Sequence, residues 1–136
     1  MGLYLAIFEG DEELDGVEVG AYADFSAFRD VVVSNLEAGS AGSRFPTLIL
    51  HSDCDGEWTP EQAAILKSEL KIVAEAFAGL PPIPLNGWKA EVAKMFGIRP
   101  TTLADCFFDV DGEPLLERLL GLARLSQERN LPILFQ

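Results

Sequence analysis

The residues of this chain whose side chains could act in catalysis or bind a metal lie together in one segment, His51-Ser52-Asp53-Cys54-Asp55-Gly56-Glu57-Trp58. Cysteine catalysis would use the Cys54 thiol as nucleophile and His51 as its base. Two features oppose this chemistry. A nucleophile and its base usually come from distant segments, and the carboxylates on either side of Cys54 disfavour its thiolate form. A hydrolase that uses His51, Cys54 and the nearby carboxylates is therefore the weaker alternative.

The same segment alternates carboxylates at Asp53, Asp55 and Glu57, as calcium loops do. A calcium loop of the EF-hand type needs glycine at its sixth position, where this chain has Trp58 if Asp53 is the first. His51 is the single histidine, which excludes a zinc site with several histidine ligands. We therefore predict no metal site and no cofactor, and we interpret these acids as structural groups or as contacts for a partner.

Two further acidic turns occupy residues 11–15 and 109–113, the second with Asp111 as a candidate helix cap and Gly112 at the bend. Paired carboxylates hydrolyse glycosides only when they lie about 5 to 10 Å apart, and the sequence places no two of them at such a separation. The sequence contains no glycine-rich phosphate loop, nucleophile elbow or zinc-ligand spacing. We therefore predict that the protein is not an enzyme.

The charge balance is strongly negative and uneven. The chain carries 22 Asp plus Glu and 10 Lys plus Arg, a net charge of −12. Residues 1–60 hold 12 acids and 2 bases, a net of −10, whereas residues 61–136 hold 10 acids and 8 bases, a net of −2. Nucleic acid and anionic membrane surfaces both require clustered Lys and Arg, so neither is expected as a partner. Concentrated negative charge favours a basic partner.

Length and composition predict a single domain over residues 1–136. A chain of 136 residues with 49% hydrophobic residues is large enough for one core without metal or disulfide support. The start of the chain lacks the basic residues and the long apolar run of a secretory signal, and no apolar run approaches the roughly 20 residues of a membrane span. We expect a cytoplasmic protein whose two cysteines, Cys54 and Cys106, are free thiols.

Hydrophobic patterns predict about five strands and about four helices. The strands are expected at residues 3–8, 17–20, 45–50, 104–110 and 132–135, with the first two forming an antiparallel hairpin and the last one at the sheet edge. The helices are expected at 24–36, 59–78 and 86–96 and from 111–113 onward, and Asp24 and Asn86 are candidate caps. The clearest signal is a capping box at Thr59 and Gln62, with Pro60 between them. The fold class is α+β with a mixed or antiparallel sheet, and a doubly wound α/β fold is the alternative.

The turns 53–57 and 109–113 each follow a predicted strand and precede a predicted helix. If those strands are parallel, both turns lie at one end of the sheet, and the turn 11–15 joins them if the first strand runs the same way. Aromatic residues among charges are typical of binding hot spots, although Trp58 could equally be a core residue. The predicted partner contacts are Asp53, Asp55, Glu57, Trp58, Asp111, Asp11, Glu12 and Glu13.

Six segments spread over nearly the whole chain resemble a known family. They are Met1-Gly2-Leu3-Tyr4-Leu5, Gly16-Val17-Glu18-Val19-Gly20, Phe28-Arg29-Asp30, Arg44-Phe45-Pro46, His51 through Trp58, and Asp109-Val110-Asp111-Gly112-Glu113-Pro114-Leu115. The family is that of the bacterial immunity proteins numbered seventy among those of polymorphic toxin systems.

The resemblance implies an α+β, cytoplasmic, non-enzymatic protein that is encoded beside a toxin and neutralises it by tight binding. It implies no catalytic residue and no particular contact residue. Combined with the negative charge, it predicts a basic toxin domain as the partner, with a nuclease as the leading type. The alternative is a small acidic interaction domain unrelated to toxins.

Overall fold

The computed structural model describes residues 2–136, which form a four-stranded sheet and five α-helices. The strands are β1 (Gly2–Glu9), β2 (Glu12–Ala21), β3 (Glu57–Trp58) and β4 (Ile133–Phe135). The helices are α1 (Tyr22–Leu36), α2 (Pro46–Ile49), α3 (Pro60–Ala78), α4 (Trp88–Phe96) and α5 (Leu115–Arg129), and a 3₁₀ helix spans Leu103–Cys106. The predicted α+β class is confirmed.

The sheet has the strand order β2-β1-β4-β3, and every neighbouring pair is antiparallel. β1 and β2 form the predicted hairpin, but β2 begins at Glu12, so Glu12 and Glu13 belong to the strand and only residues 10 and 11 turn. β4 pairs with β1 on one side and with β3 on the other. The prediction that the last strand lies at the sheet edge is therefore wrong.

One face of the sheet is covered by helices. Alternate residues of β1, namely Leu3, Leu5 and Ile7, are completely buried and pack into one core with residues of α1, α3 and α5. Aromatic rings join the layers, since the Phe25 ring of α1 lies 6.4 Å from the ring of Phe135 in β4. Burying such large apolar side chains contributes roughly 1.5 to 3 kcal/mol each, so this layer supplies most of the stability.

Two predicted strands are wrong. The run 45–50 forms α2, a single helical turn with Pro46 in its first position, where a missing N–H costs nothing. The buried carboxylate of Glu69 accepts hydrogen bonds from the backbone N–H groups of Thr47 and Leu48 at its start. The run 104–110 is not a strand either. Its first residues belong to the 3₁₀ helix Leu103–Cys106, and Phe108 forms an isolated bridge with Pro114.

The helix predictions succeed best where the capping signal is strongest. Thr59 caps α3, whose span Pro60–Ala78 agrees with the prediction, and Thr59 and Gln62 exchange both hydrogen bonds of a capping box. In α1 the cap is Ala21 rather than Asp24, which lies in the first turn and accepts the Ala21 N–H at 2.7 Å. Gly87 rather than Asn86 precedes α4.

The last helix, α5, was expected from residues 111–113 but begins at Leu115. The turn 109–113 before it therefore carries no helical residue, and Asp111 is not its cap; Pro114 takes that position. The turn is a separate loop, closed by a hydrogen bond from the Asp109 N–H to the carbonyl of Glu113 at 2.9 Å.

The outer edge of β2 is engaged by the protein itself. An Arg118 guanidinium nitrogen donates to the Gly16 carbonyl at 2.6 Å. The Val110 N–H donates to the Glu18 carbonyl at 3.1 Å. Unpaired edge groups invite another strand, and these contacts occupy two of them in the middle of β2.

Candidate partner-binding site at the sheet face

His51 holds the acidic loop 51–57 closed. Its Nδ1 lies 2.8 Å from the Ser52 carbonyl and its Nε2 lies 2.8 Å from the Glu57 carbonyl. The ring stacks on Phe135, with centroids 4.1 Å apart. The Cys54 thiol is exposed and contacts the Ser52 hydroxyl at 3.7 Å. Each ring nitrogen thus lies at a backbone carbonyl, so the imidazole links the two ends of the loop.

Arg29 of α1 fixes the start of the same loop. One guanidinium nitrogen donates to three backbone carbonyls, those of Leu48, Ile49 and His51, at 3.2, 3.1 and 2.7 Å. Burial lowers the pKa of Arg29, and the charge of nearby Asp53 opposes that effect. These bonds satisfy the last carbonyls of α2 and order the loop, so its carboxylates would lose little conformational freedom on binding a partner.

Trp58 follows the loop and is only 1% exposed. Its indole N–H donates to the Thr47 carbonyl at 3.0 Å, and its ring lies 4.8 Å from that of Phe135. The sequence left two interpretations of Trp58, a core residue or a surface contact for a partner. The structure places it in the core. Asp55 and Glu57 of the same segment are exposed, and Asp53 is half-buried.

The hairpin of β1 and β2 presents the second acidic segment, with Asp11, Glu12 and Glu13 all exposed. The Tyr4 hydroxyl donates to Glu13 Oε1 at 2.8 Å. This hydrogen bond, partial burial and the charge of Glu13 raise the pKa of Tyr4 to about 12. The Tyr4 ring lies across Gly16, where a Cβ would collide with the hydroxyl, so a larger residue there would displace the Tyr4 side chain.

In the third acidic segment, Asp109 and Asp111 have different roles. Asp109 is 1% exposed, and its Oδ1 accepts the N–H groups of Asp111 and Glu113 at 2.9 and 3.0 Å. Its other oxygen lies 3.6 Å from Nε of Arg118, which also pairs with Asp15 at 3.3 Å. Asp109 therefore organises the turn, and Asp111 remains exposed.

The sequence predicted that the acidic segments would meet at one end of the sheet if the strands before them were parallel. In the structure they do not meet. The loop 53–57 leads into β3 at one edge, whereas the turn 109–113 lies beside β2 at the opposite edge, through the bond between Val110 and Glu18. Residues 11–13 lie at the tip of the hairpin. The condition of parallel strands is not met, because neither 45–50 nor 104–110 forms a strand and the strand pairs are antiparallel, and the acids instead border the sheet on three sides.

Between these borders lies the face of the sheet that points away from the core, here called the open sheet face. The register places on it, from β2 to β3, Glu13, Gly16, Glu18, Tyr4, Ala6, Phe8, Leu134 and Glu57. Tyr4, Phe8 and Leu134 are half-buried and lie outside the main core cluster. Ala6 is covered completely. The face thus has an apolar centre and carboxylates on both outer strands.

Sequence reasoning missed most of this face. β1 reads as apolar throughout, so Tyr4 and Phe8 could not be told apart from the buried Leu5. A signal was present in β2, because Glu18 stands between Val17 and Val19, and such alternation places Glu18 on the face opposite to the two buried valines.

The family model of Immunity protein 70 matches residues 3–135 of the chain. The chain belongs to the Immunity protein 70 family. It is thus an immunity protein of polymorphic toxin systems, as the resemblance had implied. The comparisons with curated proteins and with solved structures give no significant match.

A cleft of about 470 Å³ lies beside the acidic loop of this immunity protein, lined by Pro46, Thr47, Leu50, His51, Ser52, Trp58 and Gln62. Among residues 2–136, no cluster of three or more His, Cys, Asp or Glu side chains has the geometry to hold a metal ion. No helix in that range is long and apolar enough to span a membrane.

Proposed function

We propose that this immunity protein neutralises its cognate toxin by direct, non-enzymatic binding of a basic toxin surface to the carboxylates that border the sheet. The observation that carries the proposal is the position of the acids. A net charge of −12 is accompanied by exposed carboxylates at the hairpin tip and at both edges of one sheet face. Such a field attracts a basic protein and raises its association rate.

The proposed contacts, here called the acidic margin, are Asp11, Glu12, Glu13, Asp53, Asp55, Glu57 and Asp111. Loop closure by His51 and Arg29 holds part of this margin in place before the toxin arrives, which supports tight binding. A nuclease is the leading type of toxin, because its active site needs Lys and Arg to hold phosphates, and carboxylates can occupy the same positions. Cytoplasmic neutralisation of such a toxin is part of the proposal.

The test is a fourfold variant of the acidic margin, Asp53→Asn, Asp55→Asn, Glu57→Gln and Asp111→Asn. Association with the toxin domain encoded beside this chain is followed by stopped flow over a range of salt concentrations. We expect slower association and a flatter salt dependence, because long-range attraction is what salt screens. The melting temperature should change little.

The matched control neutralises four exposed carboxylates on the helices, Glu61, Glu75, Glu117 and Glu128. It removes the same total charge, so it separates the effect of net charge from that of position. Equal rates for the two variants, or a fourfold variant that associates like the wild type at every ionic strength, would show that the acidic margin is not the interface.

A further inference from the structure

We propose that the open sheet face receives one basic amphipathic α-helix of the toxin, which lies along the strands with its apolar side on the centre of the face. The inference rests on the proposed function and goes beyond it, because it names the structural element that binds and adds an apolar contact to the charged ones. The toxin helix would form a second helical layer on the face that the chain's own helices leave uncovered.

The centre of the face supports an apolar contact. Leu134 of β4 pairs with Ala6, which lies between Tyr4 and Phe8 on β1. Tyr4, Phe8 and Leu134 are half-buried and lie outside the core cluster. Within residues 2–136, the positions that the register places on this face include three carboxylates and no Lys or Arg. An apolar strip bordered only by negative charge fits a partner with the opposite pattern, apolar in the middle and basic on both sides.

The width of the face fits one helix. Glu13 and Glu18 lie on β2 and Glu57 lies on β3, the two outer strands of the sheet. Three steps between strands separate them, about 14 Å in all. An α-helix with its side chains is about 10 to 12 Å across. One helix therefore fits between the carboxylates, with room for Lys or Arg on each flank to reach them.

Other occupants fit less well. A second copy of the chain, docked face to face, would bring Glu13, Glu18 and Glu57 against the same residues of its partner, and like charges in contact are destabilising. A strand added to the edge of β2 would have to displace the bonds that Gly16 and Glu18 already make with Arg118 and Val110.

Leu134→Glu tests the apolar contact, because binding by charge alone and binding through an apolar helix side predict opposite changes in affinity. If the toxin is held by charge alone, one more carboxylate on the face strengthens binding. If an apolar helix side rests on Leu134, the substitution weakens binding roughly tenfold or more. The control is Ile72→Glu on α3, where the side chain is 47% exposed and off this face. Calorimetry with the toxin domain measures both affinities.

Phe8→Glu serves as a second variant if Leu134→Glu lowers the melting temperature. Unchanged or tighter binding of a folded face variant, with the acidic margin variant still impaired, would overturn the helix proposal and leave the proposed function standing. If neither the face variants nor the acidic margin variant binds the toxin more weakly, both the helix proposal and the proposed function are overturned. Dimerisation of the isolated protein through this face, seen in sedimentation, would also overturn the helix proposal.

Carbodiimide cross-linking of the wild-type complex tests the helix itself without any substitution, because it joins a carboxylate directly to a lysine amine. We expect Glu18 and Glu57 to cross-link to lysines on opposite sides of the same toxin helix. Cross-links from these two residues to separate toxin segments, or to a non-helical segment, would contradict the proposal.

Discussion

Tyr4 and Glu13 form a hydrogen-bonded pair of side chains on the open sheet face. Because the hydrogen bond from Tyr4 to Glu13 favours the neutral phenol, the pKa of Tyr4 rises from 10.0 to about 12 in the folded chain. The stabilising effect is complete below the unfolded value and is lost as the pH rises towards the folded one. Absorbance titration of a Tyr22→Phe variant, which leaves Tyr4 as the sole tyrosine, should show this high pKa.

Glu13→Gln in that background removes the charge and weakens the hydrogen bond, so the pKa of Tyr4 should fall towards its ordinary value of 10.0. Glu75→Gln on α3 is the control and should leave the titration unchanged. If Tyr4 titrates identically with and without the Glu13→Gln substitution, the contact does not persist in solution.

The role of Cys54 can be tested by a single substitution. Its thiol is exposed and contacts Ser52, while the ring of His51 binds two backbone carbonyls. We therefore expect Cys54→Ala to protect toxin-expressing cells as well as the wild type does. Complete loss of protection by a Cys54→Ala protein with an unchanged melting temperature would revive cysteine catalysis.

At the scale of elements, the irregular segment between α1 and α2 is held by the buried carboxylate of Glu37. Burial raises the pKa of Glu37, but hydrogen bonds from the N–H groups of Arg44, Phe45 and Gly42 outweigh it, and the pKa is lowered overall. A lowered pKa means that this stabilisation is present above the unfolded value and is lost as the pH falls through the folded one.

Glu37→Gln should therefore destabilise the protein at neutral pH by about 2 to 3 kcal/mol, because it replaces a charged acceptor of three hydrogen bonds. Urea unfolding measures the change, and the difference from the wild type should shrink as the pH falls below the ordinary glutamate pKa of 4.5 and through the lower pKa of folded Glu37. Glu128→Gln, at an exposed position, should cost less than about 0.5 kcal/mol. Equal stability of the two variants would mean that Glu37 does not anchor this segment.

The contribution of the Thr59 cap of α3 to stability can be measured with one substitution. Thr59→Ala removes the hydroxyl that accepts the Gln62 N–H at 3.2 Å. We expect a loss of about 1 kcal/mol in the free energy of unfolding. The control is Ser68→Ala, an exposed position in the middle of the same helix. A Thr59→Ala protein as stable as this control would argue against the capping box.

At the scale of the whole molecule, the excess of negative charge should make salt act in opposite directions on folding and on binding. Self-repulsion at a net charge of −12 destabilises the compact state, and it competes with the ion pairs of Arg118 with Asp15 and of Arg129 with Glu9. Exposed ion pairs contribute little. Raising NaCl from about 10 mM to about 0.2 M should therefore raise the melting temperature while it slows toxin association.

The triple variant Asp11→Asn, Glu12→Gln and Glu13→Gln should show a smaller thermal response to salt, because it removes repulsion at the hairpin tip. Differential scanning calorimetry in NaCl and in equally concentrated sucrose separates screening from general solute effects. A melting temperature that falls as NaCl is added would show that ion pairs, and not repulsion, dominate the electrostatics of the fold.

Local signals in the sequence were sufficient for the features that depend on neighbours in the chain. The capping box at Thr59 determined where α3 begins, the alternation of β2 and the turn before it indicated a hairpin, and composition determined the net charge. Each of these depends on residues a few positions apart, which the sequence shows directly. The α+β class followed from their order.

Only the tertiary structure decided the rest, because distant residues set it. The run 45–50 is equally compatible with a strand and with a helix, and Glu69, 22 positions from Thr47, helps make it a helix by accepting its first N–H groups. Without a strand at 45–50, the condition under which the turns 53–57 and 109–113 would share one end of the sheet is not met, and the two turns lie at opposite edges. The open sheet face was hidden in the sequence because Tyr4 and Phe8 are as apolar as Leu5, and only strand pairing determines which of them face the helices.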